Sequence, residues 1–217
     1  ETVQSRCQVF EFKKPTRATL AKMTAAVAKK EGYTLASDAA ELIALLAEGS
    51  YRDALSVLQK VFAATIEKTL SRETVERATG APRREQVHAL MSALASGERG
   101  KALAAIEQAA KAGADMKLFL ELVLEALRAT LLIRYAPELR VSLQAELGAD
   151  EFAVLEEFAK GNPSTKLGTG GLPAQAGITH ATMLAFLTAA DRIRYAPIPA
   201  LPLELAVLEL FPEEASR

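Results

Sequence analysis

The apolar positions of this chain repeat with two different periods. Over residues 7–12, Cys-Gln-Val-Phe-Glu-Phe, they alternate with polar ones, which predicts a short strand with Cys7, Val9 or Phe10, and Phe12 turned inward. One strand cannot form a domain, so its sheet partners are expected upstream of residue 1. After Pro15 the period lengthens to 3.6. Leu20, Met23, Val27 and Ala28 then form one helical stripe that ends near Gly32. A second helix is predicted from an N-cap at Ser37 or Asp38, with Ala39, Leu42, Ile43 and Leu46 on its apolar face and a stop at Gly49. Ser50-Tyr51-Arg52-Asp53 has the form of a capping box with Asp in place of Glu. It opens a third helix striped by Leu55, Leu58, Val61 and Phe62.

A short helix over residues 71–82, capped by Ser71 and closed by Gly80-Ala81-Pro82, marks a domain boundary, and a second helical domain is predicted from about Arg83. Its stripes are Val87, Leu90, Met91 and Leu94; then Leu103, Ile106 and Ala110; then a long run from Phe119 through Leu131 that ends before Pro137. One further helix is expected over 142–160, a Gly-rich loop over 161–177, and two closing helices at about 179–195 and 200–211. No repeat of fixed period is present, which argues against a solenoid.

Composition agrees with this all-α reading. Half of the 217 residues are hydrophobic, enough to bury a core, while Trp is absent and aromatics are 6%. Formal net charge is −1, so no global charge marks a nucleic-acid binder, but residues 1–30 carry seven Lys or Arg against Glu1 and Glu11. That basic start is either a solvated face or a phosphate-facing edge. A single cysteine, Cys7, excludes an internal disulfide framework and a Cys-rich metal site, and fits a cytoplasmic location. No apolar run reaches the roughly 18–20 residues of a membrane span. The opening at Glu1 reads as the middle of a longer protein.

Four sets of residues could carry chemistry. Arg6, leading into the strand, offers a planar guanidinium suited to a transferring phosphoryl group, as an arginine finger would, or is an ordinary surface residue. Arg52 falls in the first turn of a helix, against the positive end of the macrodipole. With the free amides there it could hold a nucleotide phosphate, or it is an exposed residue paired locally with Asp53 or Glu48. His88 and His180 lack ligand-spaced partners and read as helix-surface residues. The glycines of 161–177 are not a phosphate loop, because no strand precedes them and no Gly-Lys-Ser/Thr follows.

Two stretches carry a resemblance. Thr2-Val3-Gln4-Ser5-Arg6-Cys7-Gln8-Val9-Phe10-Glu11-Phe12 is similar to the SRC stretch of the bacterial clamp-loader gamma/tau subunits of DNA polymerase III, which are AAA+ ATPases. Gly49-Ser50-Tyr51-Arg52-Asp53-Ala54-Leu55-Ser56-Val57-Leu58-Gln59 resembles their sensor-2 segment. Weaker likenesses, Gly113-Ala114-Asp115 with Phe119-Leu120 and Leu127-Arg128, and Leu201-Pro202-Leu203-Glu204-Leu205-Ala206-Val207-Leu208, resemble the family's collar.

The resemblance implies residues 1–12 as the end of the ATPase core, 13–80 as the AAA+ lid and 83–217 as the oligomerising collar. It implies Arg6 as the arginine finger acting on a neighbour's ATP, and Arg52, with Ser50, as the sensor-2 contact to the subunit's own γ-phosphate. ATP with Mg²⁺ is expected in the full-length subunit, whereas this chain, which lacks a phosphate-binding loop and an acidic Mg²⁺ site, is expected neither to bind nor to hydrolyse it alone. Expected partners are other copies of itself and the delta and delta-prime subunits through the collar, with the sliding clamp and primer-template DNA in the full assembly; no membrane partner is expected. The competing readings are a delta-prime-like loader subunit and a helical adaptor that never meets nucleotide.

Overall fold

A computed structural model of the chain describes residues 13–160 and 177–211. The strand expected over 7–12 and nearly all of the Gly-rich loop lie outside the described residues. Among them the fold is all-α: eleven α-helices, one 3-10 turn and two two-residue strands. The chain divides into two compact units, one ending at Thr79 and the next starting at Gly80.

The first unit holds α1 (Arg17–Lys30), α2 (Ser37–Leu46), α3 (Tyr51–Ala64) and α4 (Arg72–Thr79). Helix α2 is its centre and packs on α1, α3 and α4. Ala39, Ala40, Leu42, Ile43, Ala44 and Leu45 are all buried, so α2 is apolar almost all round, as a helix enclosed on several sides must be. Its N-cap is Ala36 rather than Ser37 or Asp38, which already lie inside the helix. The reason is a long-range contact: β1 (Thr34–Leu35) pairs in parallel with β2 (Thr69–Leu70). The Ala36 amide donates to the Leu70 carbonyl at 3.0 Å. The sheet bridge thus satisfies the N-cap residue's own amide, while the Asp38 carboxylate, inside the first turn, accepts from the Ala39 amide at 2.9 Å. In α1 the buried line is Leu20, Thr24 and Ala28, with Met23 and Val27 only half-buried. Thr24 is tolerated there because its hydroxyl donates to the Leu20 carbonyl at 3.0 Å. In α3 the buried line is Ala54, Leu58 and Val61; Leu55 is exposed. Phe62 stacks on Tyr33, ring centroids 4.3 Å apart, and the Lys68 ammonium covers the Tyr33 ring.

The second unit is organised around α7 (Met116–Tyr135). Asp115 caps it, one carboxylate oxygen accepting from the Lys117 and Leu118 amides at 2.9 and 3.2 Å. Helix α5 (Arg84–Ser96), α9 (Ala149–Lys160) and α10 (His180–Ile193) pack against α7. Helix α6 (Arg99–Lys111) pairs with α5, and α11 (Leu201–Leu210) with α10 and α6. Phe119 and Phe186 are the largest fully buried side chains. In α6 the buried positions are Ala102, Ala105, Ile106 and Ala109, while Leu103 and Ala110 are half-buried.

Two expectations fail in this unit. The helix expected over 142–160 is two helices, α8 (Arg140–Leu147) and α9, because Gly148 between them has φ +82° and ψ 159°, a conformation outside any right-handed helix. His88 is not a plain helix-surface residue. Its Nε2 lies 2.9 Å from a Glu151 carboxylate oxygen and its ring meets Phe158 edge-on, joining α5 to α9. Arg84 reaches the other oxygen of the same carboxylate at 3.4 Å.

Candidate functional site at the N-terminus of helix α3

The turn that feeds α3 is built from two consecutive left-handed residues, Glu48 (φ +46°) and Gly49 (φ +84°), with the Ser50 amide returning to the Ala47 carbonyl at 2.8 Å. Ser50 is extended (φ −112°, ψ 123°) and its hydroxyl oxygen accepts from the Asp53 amide at 3.2 Å, so the N-cap read from the sequence is present. A serine cap uses only the acceptor side of its hydroxyl; the O–H remains a donor. Asp53 and Ala54 amides are bonded to the Ser50 hydroxyl and the Ser50 carbonyl respectively. Helix geometry gives the Tyr51 and Arg52 amides no intrahelical carbonyl, and they point along the axis with the positive end of the macrodipole.

Arg52 stands in this first turn with its side chain 91% exposed, and its Nε lies 3.8 Å from an Asp53 carboxylate oxygen. At that separation and exposure the pair contributes on the order of 0–1 kcal/mol. The guanidinium is therefore available to a stronger anionic partner. Lys14 joins the site from outside α3. Its side-chain methylenes run past Gly49, about where a β-carbon on that glycine would sit 3.4 Å from the Lys14 Cδ. Nothing in the local sequence pattern links Lys14 to Gly49, and sequence reasoning passed over it; the basic character of residues 13–30 was the available signal.

The site thus gathers donors and positive charge: the Arg52 guanidinium, two helix-terminal amides, the Ser50 O–H and, beside them, Lys14. Asp53 in the first turn and Glu48 in the turn before it are the acidic residues nearest in sequence. Such a set of donors suits the oxygens of a phosphate group and would repel a metal cation. Among the described residues there is no cluster of three or more His, Cys, Asp or Glu side chains able to hold a metal ion. No helix among them is long and apolar enough to cross a membrane. Arg6 lies outside the described residues, so its position relative to this site is not part of the picture. His180 is exposed.

The family model for DNA polymerase III subunits gamma and tau domain III matches residues 70–169. DNA polymerase III subunit gamma/tau of Mycoplasma pneumoniae is 41% identical over 76 residues, covering 35% of this chain and 11% of that protein. Residues 70–169 are therefore of the gamma/tau domain III type. A replication factor C small subunit from Archaeoglobus fulgidus is also similar to the chain, at 26% identity over 165 residues, 73% of the chain and 51% of the relative. Among solved structures, the Bacillus subtilis DNA clamp loader delta protein is similar with a TM-score of 0.45 and 16% identity, over 97% of this chain and 61% of that one. The chain spans about a tenth of the Mycoplasma relative and about half of the archaeal one.

Proposed function

We propose that this gamma/tau-type chain is part of a clamp loader, in which ATP binding and hydrolysis drive placement of a sliding clamp on primed DNA. The observation that carries this reading is the domain III match over residues 70–169. Residues 13–80 serve as the lid over nucleotide and 83–217 as the collar that joins subunits: further copies of the chain, delta and delta-prime. ATP with Mg²⁺ is the cofactor of the full-length subunit, with the clamp and primer-template DNA met by the whole assembly. The chain itself contains no Gly-x-x-x-x-Gly-Lys-Ser/Thr loop, and the ATPase chemistry belongs to the full-length protein.

Within this reading the end of α3 is the sensor-2 corner of the nucleotide site. Arg52 donates to the γ-phosphate, and the Ser50 O–H and the Tyr51 and Arg52 amides are the neighbouring donors. When nucleotide binds, Arg52 exchanges its weak contact with Asp53 for a charge-assisted bond to phosphate, which draws α3 and its unit toward the nucleotide. Arg6 acts elsewhere, on the ATP of a neighbouring subunit, where its charge meets negative charge building up during phosphoryl transfer. ATP supplies the transferable phosphoryl group; these residues supply position and charge.

Arg52→Ala in the full-length subunit tests the corner. Loss of one charge-assisted hydrogen bond, about 1.5–3 kcal/mol, is expected to weaken ATP binding by roughly ten- to a hundredfold and to uncouple lid position from nucleotide. Equilibrium binding and a distance label across the lid read both; unchanged affinity and unchanged clamp loading would mean that Arg52 is only solvated. Arg6→Ala is expected to leave ATP affinity alone and to lower DNA-stimulated turnover by about a thousandfold or more. Normal turnover would remove the finger assignment.

A further inference from the structure

Helix α1 carries charge that the second unit handles differently. Residues 13–30 contain six basic side chains, Lys13, Lys14, Arg17, Lys22, Lys29 and Lys30, and no Asp or Glu. In the second unit, by contrast, lysines sit beside acids on their own helices. Lys101 pairs with Glu98, Lys111 with Glu107, Lys117 with Glu121 and Lys160 with Glu156, each three or four residues away. On α1 no such acid is provided, and among the described residues no ion pair engages Lys22, Lys29 or Lys30.

The geometry of α1 puts these charges on one side. Leu20, Thr24 and Ala28 are buried against the unit. At 100° per residue Lys22 and Lys29 lie about 20° apart and Lys30 about 80° from Lys22, on the opposite side of the helix. All three are exposed, and so are Ala18, Thr19 and Ala26 on the same face. The face is therefore lysines set mainly among small side chains; half-buried Met23, about 20° from Lys30, stands at its margin, and the face holds no aromatic side chain. Protein interfaces are depleted in Lys and centre on buried aromatic or aliphatic residues, so this composition is wrong for a protein partner. It fits a regularly charged polymer approached closely and without sequence preference. Placement of Lys29 and Lys30 in the last turn is favoured by the helix macrodipole, but Lys22, in mid-helix, gains nothing from it.

We propose that the Lys22–Lys29–Lys30 face of α1 is a binding surface for the phosphodiester backbone of DNA. This goes beyond the loader reading by assigning a DNA contact to the first unit, and it rests on α1 alone rather than on the nucleotide corner. Each lysine neutralises one phosphate, and binding is independent of sequence and steeply dependent on salt.

The test uses the whole chain and a fluorescently labelled primed duplex, followed by anisotropy between about 50 and 200 mM salt. The triple variant Lys22→Gln, Lys29→Gln, Lys30→Gln keeps helix-favouring residues and is compared with Lys101→Gln, Lys111→Gln, Lys160→Gln, which removes an equal charge from paired positions. For the α1 variant the slope of log affinity against log salt is expected to fall by about 3, with at least a tenfold loss of affinity at the low-salt end. The second variant is expected to bind nearly as well as the parent. Equal losses in both variants would reduce the effect to net charge and overturn the proposal. An unchanged α1 variant, or a parent chain that ignores DNA at low salt but binds a polyglutamate peptide, would overturn it as well, the latter in favour of an acidic protein partner. Loss of DNA binding with ATP affinity intact in the full-length subunit separates this surface from the Arg52 corner.

Discussion

Gly49 shows what single residues contribute to the candidate site. Its φ of +84° is a conformation that a side chain disfavours by about 1–2 kcal/mol, and it turns the chain from α2 into α3 so that Ser50 can cap. A β-carbon there would meet Lys14 at 3.4 Å, ordinary van der Waals contact, so strain rather than collision sets the penalty. Gly32 has φ +79° with nothing nearby and serves as the control. Gly49→Ala and Gly32→Ala are therefore expected to lower stability by similar amounts, each about 1–2 kcal/mol, in urea unfolding of the chain. A much larger loss for Gly49→Ala would show that the Lys14 side chain cannot give way. The Ser50 cap was legible in the sequence because capping depends on residues three apart. The exposure of Arg52 was not, since a residue in a first turn can face either a neighbour or solvent.

At the scale of elements, the junction of α8 and α9 holds a second testable device. The Arg140 guanidinium of α8 hydrogen-bonds the Glu156 carboxylate of α9, and Lys160 lies 3.5 Å from the other oxygen. The hydrogen bond to Arg140 is the main cause that holds the Glu156 carboxyl below its ordinary value of 4.5, against a smaller upward push from burial. A depressed folded-state value means that the stabilisation is fully present above about pH 4.5 and is lost as pH falls through the lower folded value. Carbon NMR of the Glu156 carboxyl is expected to show a midpoint below that of an exposed glutamate, and Arg140→Gln to move it upward. An unmoved midpoint would assign the depression to Lys160. Sequence periodicity ran one helix through this region, because the apolar spacing on both sides of Gly148 is helical and a lone glycine does not always break a helix.

For the molecule as a whole, the second unit leaves an apolar surface outside its core. Leu201, Leu205 and Leu208 of α11 are 37–43% exposed, and Leu184 and Leu187 of α10 are 64% and 46% exposed. Buried subunit contacts would account for them under the collar reading. Analytical ultracentrifugation of the chain, alone and with delta and delta-prime, is expected to show concentration-dependent association or a mixed complex. The pair Leu205→Glu and Leu208→Glu is expected to weaken that association at least tenfold while leaving the helical signal intact. A parent chain that stays strictly monomeric and ignores both partners would move the reading toward an isolated helical adaptor.

What the sequence by itself determined is the local layer: helices with a 3.6-residue stripe, their ends at Gly32, Gly49, Gly80 and Pro137, the caps at Ser50 and Ser71, and an all-α class. These follow from torsional preferences and from hydrogen bonds spanning a turn or less, which residue types encode directly. Tertiary structure alone decided the parallel bridge between Thr34–Leu35 and Thr69–Leu70, the burial of α2 on nearly every side, the pairing of His88 with Glu151, and the passage of Lys14 beside Gly49. Each joins residues more than thirty positions apart, or depends on how many neighbours surround a helix, and periodicity says which face is apolar but not what covers it.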